Sequence, residues 1–290
     1  MFWAASATFG WAEWHPHVSV WLVLGGITAG YVAALKLWGP RRASEGEPVA
    51  STRHKVCFFS GMAILWLGAD WPIHDLSENF LFSVHMTQHT LFSLVAPPLL
   101  LMGMPRWLLR SLLAPRWLWR TARVLTRPFV ALVLFNTVIV VTHWPVLVDA
   151  SLRSEPLHFL VHFVLVMSSL AMWWPVIVPL PEMARLSEPG KMLYLFLQSI
   201  VPTVPASFLT FADTPIYDFY ATVPRLWGID IVTDQRIAGL IMKVGGGLLL
   251  WAAIAIVFFR WNAKEERGEV EEVSWDDFER ELQAWDLRSS

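Results

Sequence analysis

The chain has a single cysteine, Cys57. That excludes an internal disulfide and any metal site built on several thiolates. Charge is scarce as well. Asp, Glu, Lys and Arg make up 16% of the 290 residues and nearly cancel, to a net charge of −2. A chain without basic surplus has no electrostatic footprint for nucleic acid. The first residues lack a positive n-region and the apolar run after them lacks a cleavage site, so no signal peptide is expected. No internal or inverted repeat is found. What fills the chain instead is apolar: 55% hydrophobic residues, with 18 Trp and 18 Phe. That composition predicts an all-α polytopic membrane protein.

A spanning helix needs about 20 mainly apolar residues. Seven stretches qualify: Val18–Trp38, Val56–Ile73, Phe80–Gly103, Pro128–Leu147, Leu157–Val178, Lys191–Phe211 and Ile237–Trp261. Basic residues concentrate in alternate connections. Lys36, Arg41, Arg42, Arg53 and Lys55 follow the first stretch; Arg106, Arg110, Arg116, Arg120, Arg123 and Arg127 follow the third. Arg185 and Lys191 follow the fifth, and Arg260, Lys264 and Arg267 the seventh. The other connections are poor in Lys and Arg or offset them with Asp. The positive-inside rule then predicts a seven-helix bundle with the N-terminus outside and the C-terminus in the cytoplasm. The expected division is an outer segment at 1–17, a transmembrane domain at 18–261 and an acidic cytoplasmic tail at 262–290. In that tail Trp275, Phe278, Leu282 and Trp285 recur at helical spacing. The Trp/Arg-rich linker between the third and fourth stretches reads as an interfacial amphipathic helix. Pro97-Pro98, and Pro202 with Pro205, predict kinks that neighbouring helices must cover. Gly26 with Gly30, and Gly245–Gly247, predict close helix approach.

Six of the nine histidines lie between His74 and His162. His85 with His89, and His158 with His162, are i,i+4 pairs, each on one helical face and about 6 Å apart along the axis. Under the predicted topology these four, with His143 and His74, all fall within about 15 Å of the outer interface. Imidazole inside a membrane segment is costly and marks function by default. Neutral imidazoles at this spacing suit a transition metal, and copper fits best, with Met86 as an accessory thioether. Asp75 and Asp234 are candidates to fix an imidazole tautomer from the second layer. His15 and His17 are expected to be solvated or accessory, and His54 to sit at the cytoplasmic surface. Lys243 lies mid-way down the last span. It is either functional or paired with a carbonyl or carboxylate. The plainer reading of each histidine alone is a hydrogen bond to a neighbouring helix.

Four segments resemble a known family. They are HMTQHTLFSLVAPPLLLMGMP (His85–Pro105), THWP (Thr142–Pro145), PLHFLVHF (Pro156–Phe163) and DQRIAGLIMK (Asp234–Lys243). They are similar to the multi-spanning CtaG-type cytochrome c oxidase assembly factors. The resemblance covers about Trp66 to Trp251. It implies a protein of the bacterial inner membrane that matures the copper centres of haem–copper oxidases, without catalysis of its own. The positions carried over are His85, His89, His143, His158, His162, Asp234 and Gln235. Lys243 departs from the pattern, where an aromatic commonly follows the methionine. The implied partner is the copper-bearing oxidase subunit, with soluble periplasmic copper chaperones as a candidate source of the ion. Two rival classes remain: a membrane haem- or metal-dependent oxidoreductase, and a transporter or retinal-type receptor prompted by Lys243.

Overall fold

The computed structural model describes residues 10, 16–43, 48–183, 186–267 and 279. The described residues form helices and connections, with no strand among them. Five helices are long and apolar enough to cross a membrane, and seven if each of two bent pairs counts as one span. The proposed tail helix lies outside the described residues.

We label seven principal helices: α1 (Val18–Leu37), α2 (Thr52–Ala69), α3 (Phe82–Gly103), α4 (Pro128–Thr142), α5 (Glu155–Ile177), α6 (Glu188–Phe211) and α7 (Ile231–Glu265). The outward faces carry Leu22, Phe208, Phe211, Leu248 and Phe259, each at least 66% exposed. Side chains this apolar and this exposed suit a lipid surface rather than water. α3 is the centre of the assembly, with α2, α5 and α7 all packed on it, and α6 packs along α7. Between α4, α5 and α6 runs a buried polar chain. Asn136 donates to Gln198 Oε1, Gln198 to the Tyr194 hydroxyl, and that hydroxyl to the Met172 carbonyl. Bonds of this kind tie helices where lipid and side chain are equally apolar.

The proline positions have the consequences expected from their missing N–H. In α3 the backbone loosens into a π-turn at Leu91–Val95, just ahead of Pro97 and Pro98. Pro97 deprives the Ser93 carbonyl of its helical donor, and the indole of Trp173 on α5 donates to it at 3.0 Å. α6 breaks at Val201-Pro202, and the Thr203 hydroxyl takes the Ser199 carbonyl. A second π-turn, Ile241–Gly245, interrupts α7.

Two expectations need correction, and one surface residue has a further role. The Trp/Arg linker is two short helices, Arg106–Leu112 and Arg116–Leu125, bent by 103° and 79° from α3 and α4. Pro115 separates them, because it has no N–H to continue the first. Gly26 and Gly30 face open space, and of the Gly245–Gly247 run only Gly246 meets another helix, at Leu94. The tight crossings are elsewhere. A Cβ on Gly103 would lie 2.5 Å from the Phe58 backbone nitrogen, and one on Gly68 would lie 2.6 Å from the Phe92 ring. His54 is not merely a surface group. It forms a capping box with Ser51 at the start of α2, where its Nδ1 accepts the Ser51 N–H.

Candidate metal centre

α3 projects His85, Gln88 and His89 from one face, because residues three and four apart share a stripe. α5 meets that face with His158 and His162. The rings of His85 and His89 are 4.3 Å apart, those of His158 and His162 4.2 Å, and those of His89 and His162 5.0 Å. His89 Nε2 and His162 Nε2 face each other at 3.0 Å. His85, His158 and His162 each offer a ligand atom, all within 4.8 Å of one another. His143 follows α4 and sets its ring 5.6 Å from that of His89. Its Nδ1 lies 2.7 Å from the Ile139 carbonyl, an acceptor only, so Nδ1 carries the proton and Nε2 keeps its lone pair.

The donors are buried or half-buried, and several are under-bonded. His85, His89, His143 and His158 are all buried. His85 Nδ1, His89 Nδ1 and both nitrogens of His158 have no hydrogen-bond partner among the described residues. Buried polar atoms left bare cost about 1–3 kcal/mol each. Several in one place call for an account, and a shared ligand is one. The donor set fits a transition-metal ion such as copper or zinc.

His74 lies at the mouth of this group, 5.8 Å from the His158 ring, on the short helix Ile73–Asn79. Glu78, one turn further on, places Oε1 3.3 Å from His74 Nε2 and 3.2 Å from His158 Nε2. Gln88 Nε2 donates to the Gly68 carbonyl at 2.7 Å and reaches His74 Nδ1 at 3.4 Å. His17 folds over the same mouth. Its ring packs edge-on against His74 at 4.4 Å, with Nδ1 3.2 Å from Asp70 and Nε2 3.3 Å from Asp75.

The accessory residues fall differently from expectation. Asp75 meets His17 rather than an imidazole of the inner group. Asp234, on α7, makes no hydrogen bond or ion pair with a histidine among the described residues; it accepts the N–H groups of Phe82 and Ser83 at 2.8 and 3.0 Å and so caps α3. It also is not the cap of its own helix. Asp230 is, accepting from Val232 and Thr233, and the Thr233 hydroxyl holds its carboxyl below the usual carboxylate range. Gln235 pins the loop before α7, accepting the Ile216 N–H and reaching toward the Leu209 and Thr214 carbonyls. Met86 packs among Phe82, Leu209, Tyr217 and Tyr220, as core does. The same loop roofs the site, with Tyr217 donating to the His143 carbonyl and Tyr220 to the Ser77 carbonyl.

A half-open cleft between α3, α4, α6 and α7 reaches the group from the side, past Lys243 to His89 and His143. Lys243 contacts the Ser207 hydroxyl at 3.3 Å and lies over the Phe211 ring at 5.5 Å. Glu78, Gln88 and Asp70 are the residues that sequence reasoning missed at the site, while His17, expected to be solvated or accessory, packs on His74. Glu78 had a signal, because it stands at i+4 from His74.

The comparisons join this geometry to a family. Residues 13–264 match the family described as cytochrome c oxidase caa3 assembly factor. This chain belongs to that family. Among curated proteins the chain is 27% identical over 262 residues to an uncharacterized protein of Mycobacterium bovis, and equally to one of Mycobacterium tuberculosis. It is 26% identical over 272 residues to an uncharacterized protein of Mycobacterium leprae. These alignments cover 83% to 87% of the chain but only 38% to 39% of the relatives. The chain therefore spans about two fifths of the length of the curated relatives it matches. No solved structure matches it.

Proposed function

We propose that this assembly factor holds a copper ion between α3 and α5 and passes it to the copper-bearing subunit of a haem–copper oxidase. The observation that carries the reading is the set of buried imidazole nitrogens without hydrogen-bond partners, with His89 and His162 facing each other at 3.0 Å. His85, His89, His158 and His162 are the ligands, with His143 the fifth contributor and His74 at the mouth. Imidazole brings no charge of its own into the bilayer. A cargo site needs more donors than one ion uses, so that ligands can exchange one at a time. The site lies in the outer half of a bacterial inner-membrane protein, and supports a non-catalytic role. The cation would come from soluble periplasmic copper chaperones.

The test is metal analysis of protein purified without chelators or nickel-charged resin. Copper should co-purify with the wild type. His89→Ala and His162→Ala should each lose most of it while elution as a monodisperse species persists, because alanine brings no polar group of its own to desolvate. Oxidase activity of the same cells should fall and recover in part with added copper. Full metal loading in both variants would sink the assignment. A haem absorption band in place of copper would favour the oxidoreductase reading.

A further inference from the structure

A second ligand set overlaps the first at one residue. His74, Glu78 and His158 offer donor atoms within 4.8 Å of one another, as do His85, His158 and His162. His158 belongs to both. It is buried, and Glu78 Oε1 stands 3.2 Å from its Nε2 without the alignment of a hydrogen bond. The side chain of Glu78 is 27% exposed, that of His74 15%, and that of His158 6%. The two sets thus run from the surface inward.

We propose that His74, Glu78 and His158 form a second metal site at the mouth, and that His158 hands one transition-metal cation between it and the deeper His85–His162 site. This rests on the reading that the deeper site holds a metal. The chemistry of the outer set differs in kind. A carboxylate is the harder ligand and is negative once a cation displaces its proton, so it suits a hydrated cation at the membrane edge and offsets part of the cost of stripping its water. The inner set is all imidazole and retains the ion after dehydration. Because both sets use His158, the ion keeps one bond throughout and moves only a few ångströms. A shared neutral imidazole serves one cation at a time, so the two sites exchange an ion rather than store two. His17, held by Asp70 and Asp75 against His74, steadies the outer ring from above.

The experiment uses the full-length protein in detergent, loaded anaerobically with copper(I), then mixed rapidly with excess bathocuproine disulfonate. Wild type, Glu78→Gln and His74→Ala should each hold a single ion per chain. Release should slow by about tenfold or more in both variants, the scale on which loss of a supporting ligand acts. Glu78→Asp, which keeps the carboxylate, should recover part of the rate. Release at the wild-type rate from Glu78→Gln would overturn the proposal and leave the deeper site standing. Loss of copper from a folded Glu78→Gln would also overturn it, by making Glu78 part of one merged site. A wild-type protein that holds no copper would remove both readings. His74→Ala keeps the question open to an answer if Glu78→Gln fails to fold.

Discussion

At the scale of single residues, one carboxylate has an outsized structural role. Asp234 is 1% exposed and accepts two backbone N–H groups of α3, whose own N-terminal residue offers no side-chain cap. It therefore fixes where His85 begins its descent into the bundle. In Asp234→Ala both donors lose their acceptor in a buried place, and each unsatisfied group costs about 1–3 kcal/mol. Thermal unfolding of the detergent-solubilised variant should show a loss of at least about 2 kcal/mol. The fraction that stays folded should still take up metal, since the Asp234 carboxylate is engaged by backbone N–H groups. A variant with wild-type stability and no metal would instead make it a direct participant. The histidine pairs were legible as residues because i,i+4 spacing is a property of the helix alone. The Asp234 contact joins positions 152 apart in the chain, and no local pattern marks it.

At the scale of helices, the fold depends on close approach at α2–α3. Gly103 lies against the Phe58 backbone and offers its carbonyl to the Tyr31 hydroxyl at 3.0 Å. Backbone cannot yield as a flexible side chain does. Gly103→Ala should destabilise the protein by about 1–3 kcal/mol, the range for forced overpacking. Gly26→Ala, in open space on α1, should be neutral or slightly stabilising, since alanine favours helix over glycine by about 0.5–1 kcal/mol. Comparing the two melting temperatures checks this; equal shifts would mean that α1 has a partner at Gly26. Glycine spacing in the sequence pointed to α1 and the middle of α7. Spacing reveals which residues share a face, and it says nothing of whether another helix lies on that face.

For the whole molecule, the question is which end faces out. The contacts put His17, His74, His143, the start of α3, the start of α5 and the loop before α7 at one end. Basic loops crowd the other, as with Arg110, which pairs with Glu182. With Cys57→Ser as background, a cysteine at exposed Thr214 should react with an impermeant maleimide on intact cells, and one at exposed Ala114 should not. Labelling only at Ala114 would invert the orientation and put the mouth of the histidine group in the cytoplasm.

The sequence by itself determined the helical, membrane-embedded character, the approximate spans and the histidines that share helix faces. These follow from local hydropathy and from a fixed period of 3.6 residues per turn. The tertiary structure decided the rest: that α3 lies at the centre, that Glu78 meets His158 from 80 positions away, and that His17 returns to His74. It also assigned Asp234 to a neighbouring helix rather than to a ligand. Such contacts depend on which faces meet and at what rotation. Packing of the entire bundle sets those, and no single segment encodes them.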